Sequence, residues 1–203
     1  MYSAFKRIFD ILFSCIMLIL LSPLMLVIAL MVKLDSPGPI LFKQKRIGKG
    51  GREFTILKFR TMVVNAETMG TGLESYEDDN RVTRTGRILR KASLDELPQL
   101  INILKGDMSF VGPRPPVTYH PYKYEDYPPN VKRRFEVKPG VTGYAQINGR
   151  NELSWEEKFK YDLFYVDNKS FWLDIKILAL TVVKVLKMEG CYDVKNKKKA
   201  NVD

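Results

Sequence analysis

The chain of 203 residues carries 33 Lys and Arg against 23 Asp and Glu, a formal charge of +10. That length suits one compact domain of about 150 residues and one extra element. The basic surplus calls for an anionic partner (nucleic acid, anionic lipid or a phosphorylated substrate), while two widely separated cysteines, Cys15 and Cys191, argue against a disulfide-built domain and for a reducing compartment.

The extra element comes first. Residues 11–32, ILFSCIMLILLSPLMLVIALMV, hold no charge, and a run of roughly 20 apolar residues matches the thickness of a bilayer. It is too long for the apolar region of a signal peptide, and no small-x-small cleavage site follows. Both flanks are basic, with Lys6 and Arg7 before the run and Lys33, Lys43, Lys45 and Arg46 after it, so neither end is marked for export. Ser22-Pro23 divides the run. Proline removes a backbone donor and crowds the preceding turn. Residues 11–21 and 23–33 then form halves of about 11 residues, roughly 16 Å each, about half of a hydrocarbon core. Two readings stand: a re-entrant helix-break-helix hairpin, or a kinked spanning helix. In both, the chain after Lys33 is expected on the cytoplasmic side.

A turn-rich DSPGP at 35–39 leads into ILFKQKRIGKGGREFTILKFRTM, which reads as strand, Gly-rich turn, strand. In the second strand Phe54, Ile56, Lys58 and Arg60 share one face. The glycines make a turn and not a phosphate loop, because no GxxxxGK[ST] is present. Residues 63–86 are polar, with acidic Glu74, Glu77, Asp78 and Asp79, and read as a mobile loop.

KASLDELPQL, residues 91–100, sets Asp95 beside Glu96 before a proline and an apolar run. Ser93 and Glu96 fit a capping box, but that places Pro98 inside the helix. A start at Asp95 puts Pro98 in the first turn, where no donor is needed. Leu97, Leu100, Ile101 and Leu104 then form an apolar stripe and Gly106 ends the helix. Both carboxylates fall at the positive end of the helix dipole, which favours their ionised forms. Adjacent side chains point about 100° apart, so one can attack phosphorus while the other holds or orients a metal.

FVGPRPP, residues 110–116, fixes the backbone around Arg114, a pre-ordered guanidinium for phosphate or carboxylate. The Tyr-, Pro- and Lys/Arg-rich segment 118–135 suits a headgroup layer or a nucleotide. Its His120, the only histidine, cannot make a metal site alone. In VKPGVTGYAQINGRN, residues 137–151, the glycines bring backbone close to a neighbour, with Gln146, Asn148 and Arg150 as polar readers. Residues 155–166 read as a helix with Trp155, Phe159 and Leu163 on one face and Asp162 beside it. Residues 171–188 are strongly apolar, but Asp174, Thr181, Lys184 and Met188 repeat at helical spacing. An interfacial amphipathic helix is expected there, with a buried core helix as the alternative. The tail KNKKKANVD is polar.

The basic N-terminus with its Ser22-Pro23 break, KFRTM (58–62), SLDELPQLINILKGDMSFVGPRP (93–115), the PGVTGYAQINGRN region and FKYD (159–162) resemble the bacterial sugar transferases, the monotopic phosphoglycosyl transferases. The likeness covers nearly the whole chain and is to the small members, with the catalytic unit alone. It implies an α+β fold with a re-entrant membrane hairpin over 1–34, a cytoplasmic catalytic domain with interfacial helices over 35–190 and a polar tail over 191–203. It also implies a reaction. Asp95 attacks the sugar-bearing phosphate of a UDP-sugar, UMP leaves, and a polyprenyl (undecaprenyl) phosphate takes the phosphosugar from the aspartate. Mg²⁺ is the implied cofactor, on Glu96 and Asp95. The implied substrate-binding set is Lys58, Arg60, Arg90, Gln99, Arg114, Gln146, Arg150 and Asp162. Membrane phospholipids are expected partners at the cytoplasmic face of the bacterial inner membrane. A homodimer is compatible with the sequence. No nucleic-acid partner is expected, because the basic residues are dispersed and form no recognition element. A non-catalytic scaffold for envelope glycan assembly is the rival function, and it leaves the Asp95-Glu96 pair without a purpose.

Overall fold

The computed structural model describes residues 2–73, 75–76 and 78–187. The first element, α1, is one continuous helix, Tyr2–Asp35, with Pro23 inside it. The break expected at Ser22-Pro23 is therefore not a break in the helix. Pro23 cannot donate to the carbonyl four residues back, and the Ser22 hydroxyl donates to that carbonyl, Ile19 O, at 2.8 Å. One stripe of α1 is buried, from Asp10 and Ser14 to Ile28 and Val32. Between them Met17, Leu18 and Leu21 pack on Ile56, Leu100, Ile103 and Met108, and Met25 and Ala29 pack beside Phe59 and Leu89. The opposite face exposes Leu12, Ile16, Ile19, Leu20, Leu26, Val27 and Leu30.

Both ends of α1 are fastened to the same body. Near its start, Arg7 donates to Ile103 O (2.6 Å) and Leu104 O (2.8 Å), and Asp10 accepts from Ser109 Oγ and Phe110 N. At its far end Arg60 donates to Val32 O, Ser36 O and Pro37 O. There Asp35 also accepts from Thr85 N at 2.9 Å.

The expected hairpin forms as β1, Leu41–Ile47, antiparallel to β2, Glu53–Phe59, with Leu41 opposite Phe59 and Ile47 opposite Glu53. Gly50 and Gly51 take left-handed φ values of 65° and 80° in the turn, which glycine alone adopts without cost. The segment read as a mobile loop over 63–86 is organised instead. Arg81 pairs with buried Asp79 and donates to Ala66 O, Met69 O and Gly72 O. Its last residues open α2, Arg84–Lys91, capped by Thr83 accepting from Gly86 N. Glu74 and Glu77 of the acidic cluster lie outside the described residues.

The Asp95-Glu96 stretch starts differently from the expectation. Ser93 is left-handed (φ 55°) and makes no side-chain cap, so the capping box is absent. Leu94–Glu96 form a 3-10 turn, Pro98 is the N-cap, and α3 is Gln99–Lys105. Proline sits one step before the helix because its fixed φ suits the position and its missing N–H is not needed there. Gly106 (φ 97°) ends α3 as expected. The buried face is Gln99, Leu100, Asn102 and Ile103, in place of the predicted stripe through Ile101 and Leu104. Asn102 joins α3 to the hairpin by accepting from Leu57 N (3.0 Å) and donating to Thr55 O (2.8 Å).

Strand β3, Ser109–Val111, precedes α4, Pro129–Lys132, and then pairs in parallel with β4, Gly140–Thr142. The glycines expected to bring backbone close do so here, because a Cβ at Gly140 or Gly143 would overlap the main chain of Gly112. Helix α5, Tyr144–Ile147, leads to α6, Trp155–Asn168, whose capping box pairs Ser154 with Glu157. Helix α7, Phe171–Leu186, is capped by Ser170. Its polar stripe faces inward. Asp174 and Ile177 are buried, and Thr181 meets Thr142 at 2.6 Å. Its apolar flank faces outward, with Trp172 and Leu186 both 77% exposed. Met188 and the tail lie outside the described residues. The architecture is α+β, with two small sheets among helices and a long apolar helix at the N-terminus.

Candidate active site

Three elements meet at the dyad. Lys58, at the end of β2, donates to Glu96 Oε1 at 2.7 Å. Arg114, on the loop after β3, donates from Nη2 to the same oxygen at 2.6 Å, with Nη1 3.5 Å from Oε2. Asp95 is half-buried and has no hydrogen-bond or ion-pair partner among the described residues. Arg90 lies close enough for its charge to act on Asp95. It is aimed by donating from Nε to Thr61 Oγ1 (2.9 Å) and from Nη1 to Ser75 Oγ (3.0 Å).

The two neighbours have opposite electrostatics. Burial raises the pKa of Glu96, but Arg114 and Lys58 overcome it and hold that carboxyl well below the usual range. Burial raises Asp95 and the negative charge of Glu96 raises it further, against the pull of Lys58, Arg90 and Arg114. The helix dipole thus does not set both residues alike. Like charges side by side split their titrations, and the ion pairs go to Glu96. Burial also lowers Lys58, with Arg114 adding to the shift. The result is a fixed, charged Glu96 beside an accessible, unengaged Asp95.

The remaining expected site residues are placed unevenly. Arg60 is buried and spends its guanidinium on the carbonyls at the end of α1, so it braces the fold and does not line the dyad. Asp162 is buried and paired with Arg134 at 2.6 Å. Gln99, at the start of α3, is fully buried with neither amide atom paired, and the Gln146 amide on α5 is likewise buried and unpaired. Arg150 opens a 3-10 turn after Gly149; its side chain lies outside the described residues. Sequence reasoning missed Arg46 and Arg134, which hold the Arg114 loop from β1 and from the turn after α4. Their only signal was their number in a chain rich in arginine.

Among the described residues, no three His, Cys, Asp or Glu side chains cluster for a metal ion. Asp95, together with Glu96 Oε2, still offers hard oxygen donors. That set fits Mg²⁺, which binds through one or two carboxylates and fills its shell with water and substrate phosphate.

Fold and site together define a protein with a long apolar N-terminal helix whose cations converge on an acidic dyad. The bacterial sugar transferase family matches residues 1–188. A Bacillus subtilis (strain 168) protein named "Uncharacterized sugar transferase EpsL" is 51% identical over 186 residues, covering 91% of this chain and 89% of its own. A Xanthomonas campestris pv. campestris UDP-glucose:undecaprenyl-phosphate glucose-1-phosphate transferase is 46% identical, over 92% of this chain and 40% of its own. An Aeromonas hydrophila UDP-N-acetylgalactosamine-undecaprenyl-phosphate N-acetylgalactosaminephosphotransferase is 42% identical, over 91% and 44%. The chain therefore spans less than half the length of those last two relatives. It belongs to the bacterial sugar transferase family.

Proposed function

We propose that this chain moves a sugar 1-phosphate from a UDP-sugar to a polyprenyl phosphate, undecaprenyl phosphate by analogy with its relatives' names. The observation that carries the reading is the unpaired Asp95 carboxylate beside an ion-paired Glu96. An Asp95 oxygen attacks the phosphorus that bears the sugar. The bond from that phosphorus to the bridging oxygen breaks, and UMP departs with the electron pair. A polyprenyl phosphate oxygen then attacks the same phosphorus, and the Asp95–phosphorus bond breaks. A carboxylate nucleophile splits one hard displacement into two. Phosphoryl transfer needs alignment and charge neutralisation above all. Lys58, Arg90 and Arg114 supply positive charge around the dyad. Mg²⁺ on Asp95 or Glu96 would neutralise phosphate charge.

The lipid substrate places this chemistry at a membrane surface. The apolar outer faces of α1 and α7 support docking into lipid. The anchoring of both ends of α1 to one body supports a re-entrant α1, and the basic residues on both flanks of the apolar run support placing the body on the cytoplasmic face of the inner membrane. The test is mass spectrometry of the membrane-extracted protein after incubation with UDP-sugars and no lipid acceptor. A phosphosugar adduct on Asp95 is expected, together with UMP release that Asp95→Asn abolishes without loss from the membrane fraction. An adduct elsewhere, or turnover by the Asn variant, overturns the nucleophile. Membrane binding without any turnover favours the scaffold.

A further inference from the structure

The segment Pro113-Arg114-Pro115-Pro116 contains three prolines. They donate no backbone hydrogen bonds, so its carbonyls must find donors elsewhere. Each of the four does, and each donor comes from a different residue. Pro113 O accepts from Gly140 N at 3.0 Å and Pro116 O from Ile47 N at 3.1 Å. Arg114 O accepts from Arg134 Nη2 at 3.0 Å and Pro115 O from Arg46 Nη1 at 3.0 Å. Two strands and two arginines thus fix the backbone beneath the Arg114 guanidinium that grips Glu96.

The Arg134 contact is the more constrained of the two. Arg134 and Asp162 are both 2% exposed. Arg134 Nε and Nη2 both donate to Asp162 Oδ2, at 3.0 and 2.6 Å. The guanidinium lies over Phe135 and Phe159, 5.1 and 5.6 Å from their ring centres. Acid, rings and carbonyl together fix the Nε and Nη2 edge of its fork. Arg134 Nη1 and Asp162 Oδ1 are buried without partners, as is Arg46 Nε, but Arg46 has no carboxylate partner of its own among the described residues, and burial together with the charge of Arg114 lowers its pKa to about 10. A buried ion pair is weak evidence for stability, since apolar side chains of the same volume often do as well. What an apolar pair cannot supply is a donor aimed at the carbonyl of Arg114. Arg114 itself is 40% exposed and reaches out to Glu96.

We propose that Arg134, oriented by Asp162, is a positioning residue that sets the reach of Arg114 through its main-chain carbonyl. The role rests on the transferase reading above. It also replaces direct substrate binding as the part played by Asp162.

The test is steady-state UMP release by the full chain in membranes or detergent, with thermal melting as the control for folding. Arg134→Lys keeps the charge for Asp162 but loses the planar fork that reaches both acceptors. A displaced guanidinium should cost about 10- to 100-fold, and the loss should fall in kcat more than in the KM of the sugar nucleotide, because Arg114 meets charge that develops in the transition state. In an Arg114→Lys background the same change should cost no more than about two-fold further, since the group being positioned is gone. Asp162→Asn, nearly isosteric, should show the same non-additivity and serves as the second variant if Arg134→Lys does not fold. Wild-type turnover by a folded Arg134→Lys or Asp162→Asn protein overturns the proposal. Losses that multiply with Arg114→Lys also overturn it. A wild-type protein that releases no UMP from any UDP-sugar overturns the transferase reading itself, and this role with it.

Discussion

Asp95 and Glu96 are neighbours in the chain, yet the structure assigns them different tasks. Glu96 is the anchor of two cations and stays charged. Asp95 keeps its oxygens for something outside the protein. The pH dependence should show this division. Because burial and Glu96 raise Asp95, the acid limb of kcat/KM should lie above the ordinary aspartate range, with activity falling as pH drops and Asp95 gains its proton. Glu96, held low, should not contribute to that limb. Glu96→Gln removes the like charge and leaves Lys58 and Arg114 unneutralised beside Asp95. Both changes stabilise the Asp95 anion, so the limb should move to lower pH even as kcat falls about 10²-fold from the lost alignment of Lys58 and Arg114. Profiles of both proteins between pH 4 and 9 decide it. A limb that stays fixed or rises in the variant means that Asp95 is not the group being titrated.

At the scale of elements, what was legible in the sequence is what local rules control. The β1–β2 hairpin, the Gly106 stop and the α6 helix follow from alternation, turn glycines and caps. The start of α3 was misplaced because two local signals compete there, and Ser93 takes a left-handed conformation that neither of them predicts. The polar stripe of α7 was legible, but its direction was not. Asp174 pairs with Lys6, far away in sequence, and accepts from Tyr165 on the preceding helix. Lys58, Arg90 and Arg114 were marked through the family resemblance, whereas the Arg134–Asp162 brace joins residues 28 apart that no local motif links. The crossing of β3 and β4 gives a test at this scale. Gly143 lies against the main chain of Gly112, two residues before Arg114. Gly143→Ala must push those backbones apart, an overpacking cost of about 1–3 kcal/mol. The expected result is a lower melting temperature and a loss of turnover larger than that of Gly50→Ala, which carries the backbone cost of a left-handed φ but whose Cβ would meet open space. Equal losses for the two variants would mean that the close approach does not matter to the site.

The whole molecule is organised by the contact between α1 and the body. The buried stripe from Asp10 to Val32 covers about 33 Å of helix, the thickness of a hydrocarbon core. Had α1 crossed a bilayer upright, the body packed along it would lie at every depth of the membrane. One end of α1 is bound to the end of α3 by Arg7, near Lys105, and to Asp174 by Lys6. The other is bound through Asp35 to α2, which carries Arg84, Arg87, Arg90 and Lys91. A crossing would strand one of these charged ends on the far side or draw it through lipid, at about 2.5–3.5 kcal/mol per charge. On the proposed re-entrant reading, with Pro23 at the middle and Ser22 closing the freed carbonyl, α1 instead buries its outer face while both ends stay with the body. The expected outcome is therefore that epitope tags at the N-terminus and after residue 187 share one fate. Both should resist protease in intact spheroplasts and both should be cut in inverted vesicles. Digestion of the N-terminal tag alone in spheroplasts would establish a spanning helix, and the packing of α1 along the body would then have to be abandoned as its membrane-bound arrangement.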